Sequence, residues 1–212
     1  MKSSAVKPSF DKHRGAEAQA RVRRIVTEAR RLLVERGYQR TSLDAILARS
    51  GGSKATLLKY FGNKAGLLGA VLADEAGHTI ASAEQAARTG TPEHALAGFA
   101  TIVLRFYCRQ DSLMVYRAIV AEAYRHPTLA RRFYYNAHQQ FVAALARHLS
   151  DWTKRGHLLS ADPEADADRF LSMLRSGPHD RALLGLSATV ADDELKEQVN
   201  ACVRLFLHGL GP

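Results

Sequence analysis

Residues 41–61 read TSLDAILARSGGSKATLLKYF. Two short helical patterns flank a tight turn in this stretch. Leu43, Ile46 and Leu47 recur at helical spacing in the first, and Leu57 and Phe61 do so in the second. Ser50-Gly51-Gly52 stops the first pattern, and Ser53 is placed to cap the second. Thr41 with Asp44 three residues on predicts a capping box at the first helix, with Asp in place of the usual Glu. This is the sequence form of a helix-turn-helix. In such a unit the second helix enters the major groove of DNA and the first crosses the backbone. The groove is about 12 Å wide, so one helix fits.

The outer side of the second helix is then the reading surface. It offers Lys54, Ala55, Thr56, Leu58, Lys59 and Tyr60, with Ser53 at its start. Lys54 and Lys59 suit phosphates or guanine edges, and Thr56 suits a phosphate or a thymine methyl. Thr41 and Ser42 stand at one helix N-terminus and Lys64 at another. Free backbone amides and the helix dipole favour a phosphate at such ends. Any one of these lysines alone reads more readily as a solvated charge; gathered around one short helix, they point together to DNA.

Outward from this core, residues 1–15 read as a basic arm, containing Lys2, Lys7, Lys12, His13 and Arg14, with Pro8 and Gly15 as breakers. A helix is expected from about Ala16 to Arg36, with Val22, Ile25, Val26, Ala29, Leu32 and Leu33 on its apolar stripe and Gly37 just past its end. Gly62 stops the reading helix, and Asn63 caps a fourth helix reaching about Ala87. The remainder reads as helix throughout, over about 92–109, 111–125, 127–155, 164–187 and 192–209. Thr91-Pro92 starts the first of these, and Gly177-Pro178 is expected to kink the fourth. The expected architecture is all-α: an arm at 1–15, a three-helix DNA-binding domain at 16–70, and a larger helical domain at 71–212.

Charge follows the same division. The net charge of the 212 residues is +9. Residues 1–64 hold 15 Lys+Arg against 5 Asp+Glu, a net of +10, and residues 65–212 are near neutral at −1. A basic unit joined to a neutral one suggests that the first meets a polyanion and the second does not. No signal-like leader and no run of roughly 18 apolar residues is present, so a cytoplasmic protein is expected. Cys108 and Cys202 read as two reduced thiols. There is no His-Glu-x-x-His, no paired-Cys motif and no Gly-rich phosphate loop. No catalytic residue, metal or cofactor is therefore expected; His138 and His148, ten residues apart on one expected helix, read as a solvated pair.

The stretches Thr41–Ile46, Ser50–Leu57 and Lys59–Leu68, above all Tyr60-Phe61-Gly62-Asn63-Lys64 with Leu67-Leu68, resemble the N-terminal domain of TetR-family transcriptional regulators. With the preceding Ile25–Ala29 segment and Gly37-Tyr38, the likeness spans about residues 20–70. The chain departs from that family at Leu47, where Ala is usual, at Gly52 in the turn, and at Leu58, where Tyr commonly contacts the DNA backbone.

The resemblance implies a homodimer bound to operator DNA and a helical C-terminal domain that holds a small-molecule effector. It also implies a repressor that the effector releases. The expected dimer elements are the helices at about 164–187 and 192–209. Their apolar residues Phe170, Leu171, Leu174, Leu183, Leu184 and Leu186, then Leu195, Val199, Cys202, Val203, Leu205, Phe206 and Leu210, suit a four-helix bundle between two subunits or the closing of one subunit's core. Candidate pocket walls are Phe99, Val103, Phe106, Tyr107, Met114, Tyr124, Phe133, Tyr134, Phe141 and Trp152, with Arg117 and His179 as polar anchors. Core packing serves for each aromatic taken singly. The rival reading is a protein that grips any duplex or anionic surface through its basic N-terminal helix.

Overall fold

The computed structural model describes residues 10–88, 90–187 and 189–210, and every described element is helical. The order is α1 (Phe10–Arg40), α2 (Leu43–Ser50), α3 (Lys54–Phe61), α4 (Lys64–Ala86), α5 (Pro92–Cys108), α6 (Gln110–Ala123), α7 (Pro127–Phe133), a π-helical segment (Tyr134–His138), α8 (Gln139–Lys154), α9 (Pro163–Arg175), α10 (Pro178–Leu183) and α11 (Asp192–Leu210). Helix α1 begins six residues ahead of its expected start. The arm expected over 1–15 thus falls partly within α1, and residues 1–9 lie outside the described residues.

Short polar side chains set the helix starts. Ser42, Ser53, Asn63, Thr91 and Asp162 each accept a hydrogen bond from the amide three residues on, which satisfies an N–H that the helix itself leaves free. Each such cap is worth about 1 kcal/mol. Helix α1 is broken at Gly37, whose φ of 71° is a conformation that side-chain-bearing residues rarely adopt.

Ile25, Ala29, Leu32 and Leu33 of α1 pack with Ile46, Leu57, Leu67, Leu68 and Val71 in the core of the N-terminal part. Helix α4 continues without a break from this group to Ala76 and Ala83, which pack in the same continuous core as Leu96, Phe99 and Val103 of α5. At roughly 1.5 Å per residue its 23 residues span about 34 Å. Beyond it, α8 packs on α9, and α11 on α5.

Two expected helices are subdivided. The span expected at 127–155 is α7, the π segment and α8, and the wider π turn changes the facing of the residues that follow it. The kink expected at Gly177-Pro178 is a full break. Gly177 takes φ 82°, ψ −100°, and Pro178, which has no N–H to donate, opens α10 as a separate helix.

The apolar residues of the last helices divide between two roles. Phe170, Leu171, Leu174, Leu195, Val199, Cys202, Val203 and Phe206 lie in the protomer's own core, with the Phe170 and Phe206 rings 4.9 Å apart. Leu184, Leu186 and Leu205 are left outward, each about seven-tenths exposed. Among the described residues no helix is long and apolar enough to cross a membrane.

Candidate DNA-reading surface and ligand cavity

The turn between α2 and α3 depends on two glycines. Gly51 has φ 71° and Gly52 φ 101°, and the Gly51 amide donates to the Leu47 carbonyl at 2.9 Å, closing α2. Ser53 then starts α3. Its hydroxyl accepts from the Thr56 amide at 3.1 Å and lies 3.0 Å from the Thr56 hydroxyl. Leu57 is fully buried and anchors the helix, while Lys54, Ala55, Lys59 and Tyr60 face solvent and Thr56 is half-buried. Leu58 is exposed beside them. Lys54, Ala55, Leu58, Lys59 and Tyr60 are therefore accessible to a partner.

Thr41 does not belong to that surface. It is 1 % exposed, and its hydroxyl lies 2.8 Å from the Gly37 carbonyl and 3.1 Å from that of Leu32. It closes the end of α1. The cap of α2 is Ser42, whose hydroxyl accepts from Ala45 at 3.1 Å, so the capping box expected at Thr41 and Asp44 does not form. Asp44 instead lies 3.9 Å from the Lys54 ammonium, an exposed and weak pairing. Lys64 is half-buried: its ammonium donates to the Gln39 carbonyl at 3.4 Å and sits 4.3 Å from the Tyr38 ring centroid. Burial lowers its pKa. Arg49 and Glu35 join α2 to α1 through a two-pronged ion pair, both contacts at 3.0 Å.

A contact from the second half of the chain reaches this unit. Arg132, on α7, donates to the carbonyl of Tyr60 at the end of α3, at 2.8 Å. The last carbonyls of a helix have no partner within it, so this guanidinium fills a standing vacancy and complements the helix dipole.

Helix α7 and the π segment also wall a cavity of about 770 Å³. Of the residues expected to line a pocket, Phe106, Tyr107, Phe133, Tyr134, Phe141 and His179 do. Phe99, Val103 and Trp152 are core residues away from it, and Met114 is half-buried outside its lining. Tyr124 is 96 % exposed, because it follows the last turn of α6 and points off the protein. Arg117 is not an anchor for a ligand either. Its guanidinium donates to the carbonyls of Leu183 (2.6 Å) and Ala182, and so closes the end of α10.

The cavity's polar side chains come from six elements. Tyr107 is on α5, Ser112 and Tyr116 on α6, Arg131 on α7, Tyr134, Tyr135 and His138 in the π segment, Arg175 at the end of α9, and His179 on α10. His138 Nε2 lies 2.7 Å from Asp168 Oδ1. Burial lowers the pKa of His138, partly opposed by Asp168, and burial lowers that of His179. Burial raises the Tyr107 phenol beyond its ordinary range, so it stays protonated. Arg175 lies 5.7 Å from the Tyr107 ring centroid. His148 is elsewhere, its ring 5.8 Å from Trp152 and 6.3 Å from Phe99. Among the described residues no group of His, Cys, Asp and Glu is placed to hold a metal ion. Cys108 and Cys202 are free, and burial pushes the Cys108 thiol up to about 12.

Residues 25–71 match the family model for bacterial regulatory proteins of the tetR family. Residues 94–210, more than half of the chain, match that for the C-terminal domain of AefR-like transcriptional repressors. The chain belongs to the TetR family of transcriptional regulators. Solved structures agree. A protein of Mesorhizobium loti MAFF303099, titled a TetR-family transcriptional regulator, is 26 % identical with a TM-score of 0.74, covering 92 % of this chain and 98 % of its own. The flavonoid-responsive regulator FrrA is 28 % identical with a TM-score of 0.64 over the same shares. A TetR transcriptional regulator from Agrobacterium tumefaciens is 26 % identical with a TM-score of 0.60, covering 91 % and 95 %. Among curated proteins, none matches the sequence significantly.

In this TetR-family regulator, six polar side chains of the cavity escaped the sequence reading of the pocket: Ser112, Tyr116, Arg131, Tyr135, His138 and Arg175. A signal existed for two of them. Ser112, Tyr116, Ile119 and Ala123 are spaced by four, three and four residues, so one face of α6 carries polar groups among apolar ones. His138 and Arg175 had no such signal, since their placement depends on the π turn and on where α9 ends.

Proposed function

We propose that this TetR-family regulator is a homodimeric repressor that binds operator DNA through α3 and is released when a small molecule occupies the cavity beside α6. The DNA-reading unit is residues 16–70, and residues 71–212 hold the effector and the partner subunit. On this reading Ser42, Ser53, Lys54, Ala55, Thr56, Lys59, Tyr60 and Lys64 face DNA, and the protein works in the cytoplasm.

The observation that carries the reading is the hydrogen bond from Arg132 to the Tyr60 carbonyl. It ties the reading helix to α7, which runs directly into the π segment that walls the cavity. An occupant that moves α7 therefore bears on α3. It shifts the balance between bound and released states by the difference in its affinity for the two. The flavonoid-responsive FrrA, similar over nearly the whole chain, supports a regulator that answers a small molecule. Outward-facing Leu184 and Leu186, just past α10, and Leu205 on α11 support a partner subunit at these last elements.

Selection of genomic fragments by the full chain, followed by sequencing, tests this. The reading expects a site with two related halves about one DNA turn, roughly 34 Å, apart. Fragments enriched without any shared sequence would favour indiscriminate duplex binding instead.

A further inference from the structure

Three residues of the cavity wall each carry a buried polar atom with no hydrogen-bond partner: Tyr107 Oη, Ser112 Oγ and His138 Nδ1. An unsatisfied buried polar group is costly, so three around one space call for a partner that answers them. Ser112 is only 3 % exposed, and the His138 side chain 11 %.

The network sets what each atom asks for. The Asp168 carboxylate has only lone pairs to offer, so His138 Nε2 carries the hydrogen of their 2.7 Å contact. Burial disfavours a second proton on the ring, which leaves Nδ1 as a bare acceptor. It asks for a hydroxyl. The Tyr107 phenol, kept protonated, asks for an oxygen, and Ser112 takes either role. Arg175 stands over the Tyr107 ring and, among the described residues, forms no ion pair. Among the described residues lining the cavity there is no Asp or Glu, while Arg175 and Arg131 both line it. An anionic oxygen suits this space and a cation does not.

Shape adds the rest. The lining runs along α6 from Ser112 to Ala123, about 16 Å at 1.5 Å per residue. Phe106, Phe133, Phe141 and Tyr116 supply aromatic walls. Arg175 stands over the Tyr107 ring, and Ile119, Val120 and Ala123 of α6 add apolar wall.

We propose that the cavity takes an elongated hydroxylated aromatic acid, its hydroxyl on His138, its anionic oxygen on Arg175, and its apolar end along α6 toward Ala123. The proposal rests on the reading of this cavity as the effector site and names the chemistry of its occupant.

Calorimetric titration of the full-length protein with 5-hydroxybiphenyl-3-carboxylate tests it. The expected result is saturable binding of one molecule per chain. Biphenyl-3-carboxylate, which lacks the hydroxyl, and 3-hydroxybiphenyl, which lacks the carboxylate, each bind about tenfold more weakly, the worth of one hydrogen bond to a buried or charged partner. In His138→Phe the loss of the hydroxyl ceases to matter, and in Arg175→Met the loss of the carboxylate does. The ligand series on the unaltered protein decides the matter even where a variant fails to fold. Absence of saturable binding by the probe overturns the proposal. So does equal or tighter binding of unsubstituted biphenyl or of the cationic 4-phenylbenzylamine. Operator binding, followed in parallel by fluorescence anisotropy, separates the two readings. Probe binding that leaves operator affinity unchanged supports the occupant's chemistry and contradicts release. Release by the cationic amine but not by the probe supports release and overturns the chemistry.

Discussion

The guanidinium of Arg132 holds the carbonyl of Tyr60 at 2.8 Å, joining α7 to the last turn of the helix that presents Lys54 and Lys59. Seventy-two residues of sequence separate the two. The contact lies on the surface, so its loss has little effect on stability; its effect is on communication. Arg132→Leu is expected to leave the melting temperature nearly unchanged. It should shrink the ratio of operator affinities without and with effector about fivefold, or roughly 1 kcal/mol of coupling. Anisotropy titrations with and without effector measure that ratio. An unchanged ratio would show that communication bypasses this contact.

Thr41 makes a different kind of prediction, because its hydroxyl is turned into the protein. Thr41→Val preserves shape and removes the donor that serves the Leu32 and Gly37 carbonyls. A loss of about 1–2 kcal/mol in urea unfolding is expected, with DNA affinity unaltered while the protein is folded. Weaker DNA binding at unchanged stability would return Thr41 to the reading surface.

Lys54 and Lys59 are exposed on α3, and each is proposed to meet a phosphate or a base edge. For a phosphate contact, removing one lysine should lower the slope of log affinity against log salt by about 0.9 and weaken all sequences alike. A lysine that reads guanine should instead relax preference at one base pair. Salt titrations of Lys54→Ala and Lys59→Ala on operator and scrambled DNA assign each role, and a variant that changes neither slope nor preference would have no part in binding.

Buried histidines give stability a pH dependence with a definite sign. His138, His148 and His179 each have a pKa lowered chiefly by burial. Below about pH 6.5 the unfolded chain takes up protons at these sites that the folded protein resists, so stability is full above that pH and falls as acid is added. The urea midpoint should drop between pH 7.5 and pH 5. Replacing all three residues with Gln should flatten the drop; an equally steep fall in that variant would locate the titration elsewhere.

What the sequence disclosed, and what it withheld, follows from the range of the interactions involved. Ser53, Asn63 and Thr91 were readable as caps because a cap is a bond over three residues. The stripes of α1 and α11 were readable because periodicity is local. At Thr41-Ser42 two adjacent hydroxyls compete for one cap, and the choice is made by the Leu32 and Gly37 carbonyls, up to nine residues back. Arg117 suggests a ligand anchor in the sequence because a charge flanked by apolar neighbours invites that reading. Its true partners, the carbonyls of Ala182 and Leu183, lie 65 and 66 residues away. The π turn at Tyr134–His138 left no mark in the pattern, yet His138 reaches the cavity through it.

Fluorescence anisotropy of the full chain on DNA flanking its own gene, against scrambled DNA at about physiological salt, tests selective and releasable operator binding. A preference of roughly a thousandfold or more, lost when the cavity is filled, is the expected result. Equal affinity for both DNAs, falling together as salt rises, would contradict it and leave a basic unit that only grips phosphate.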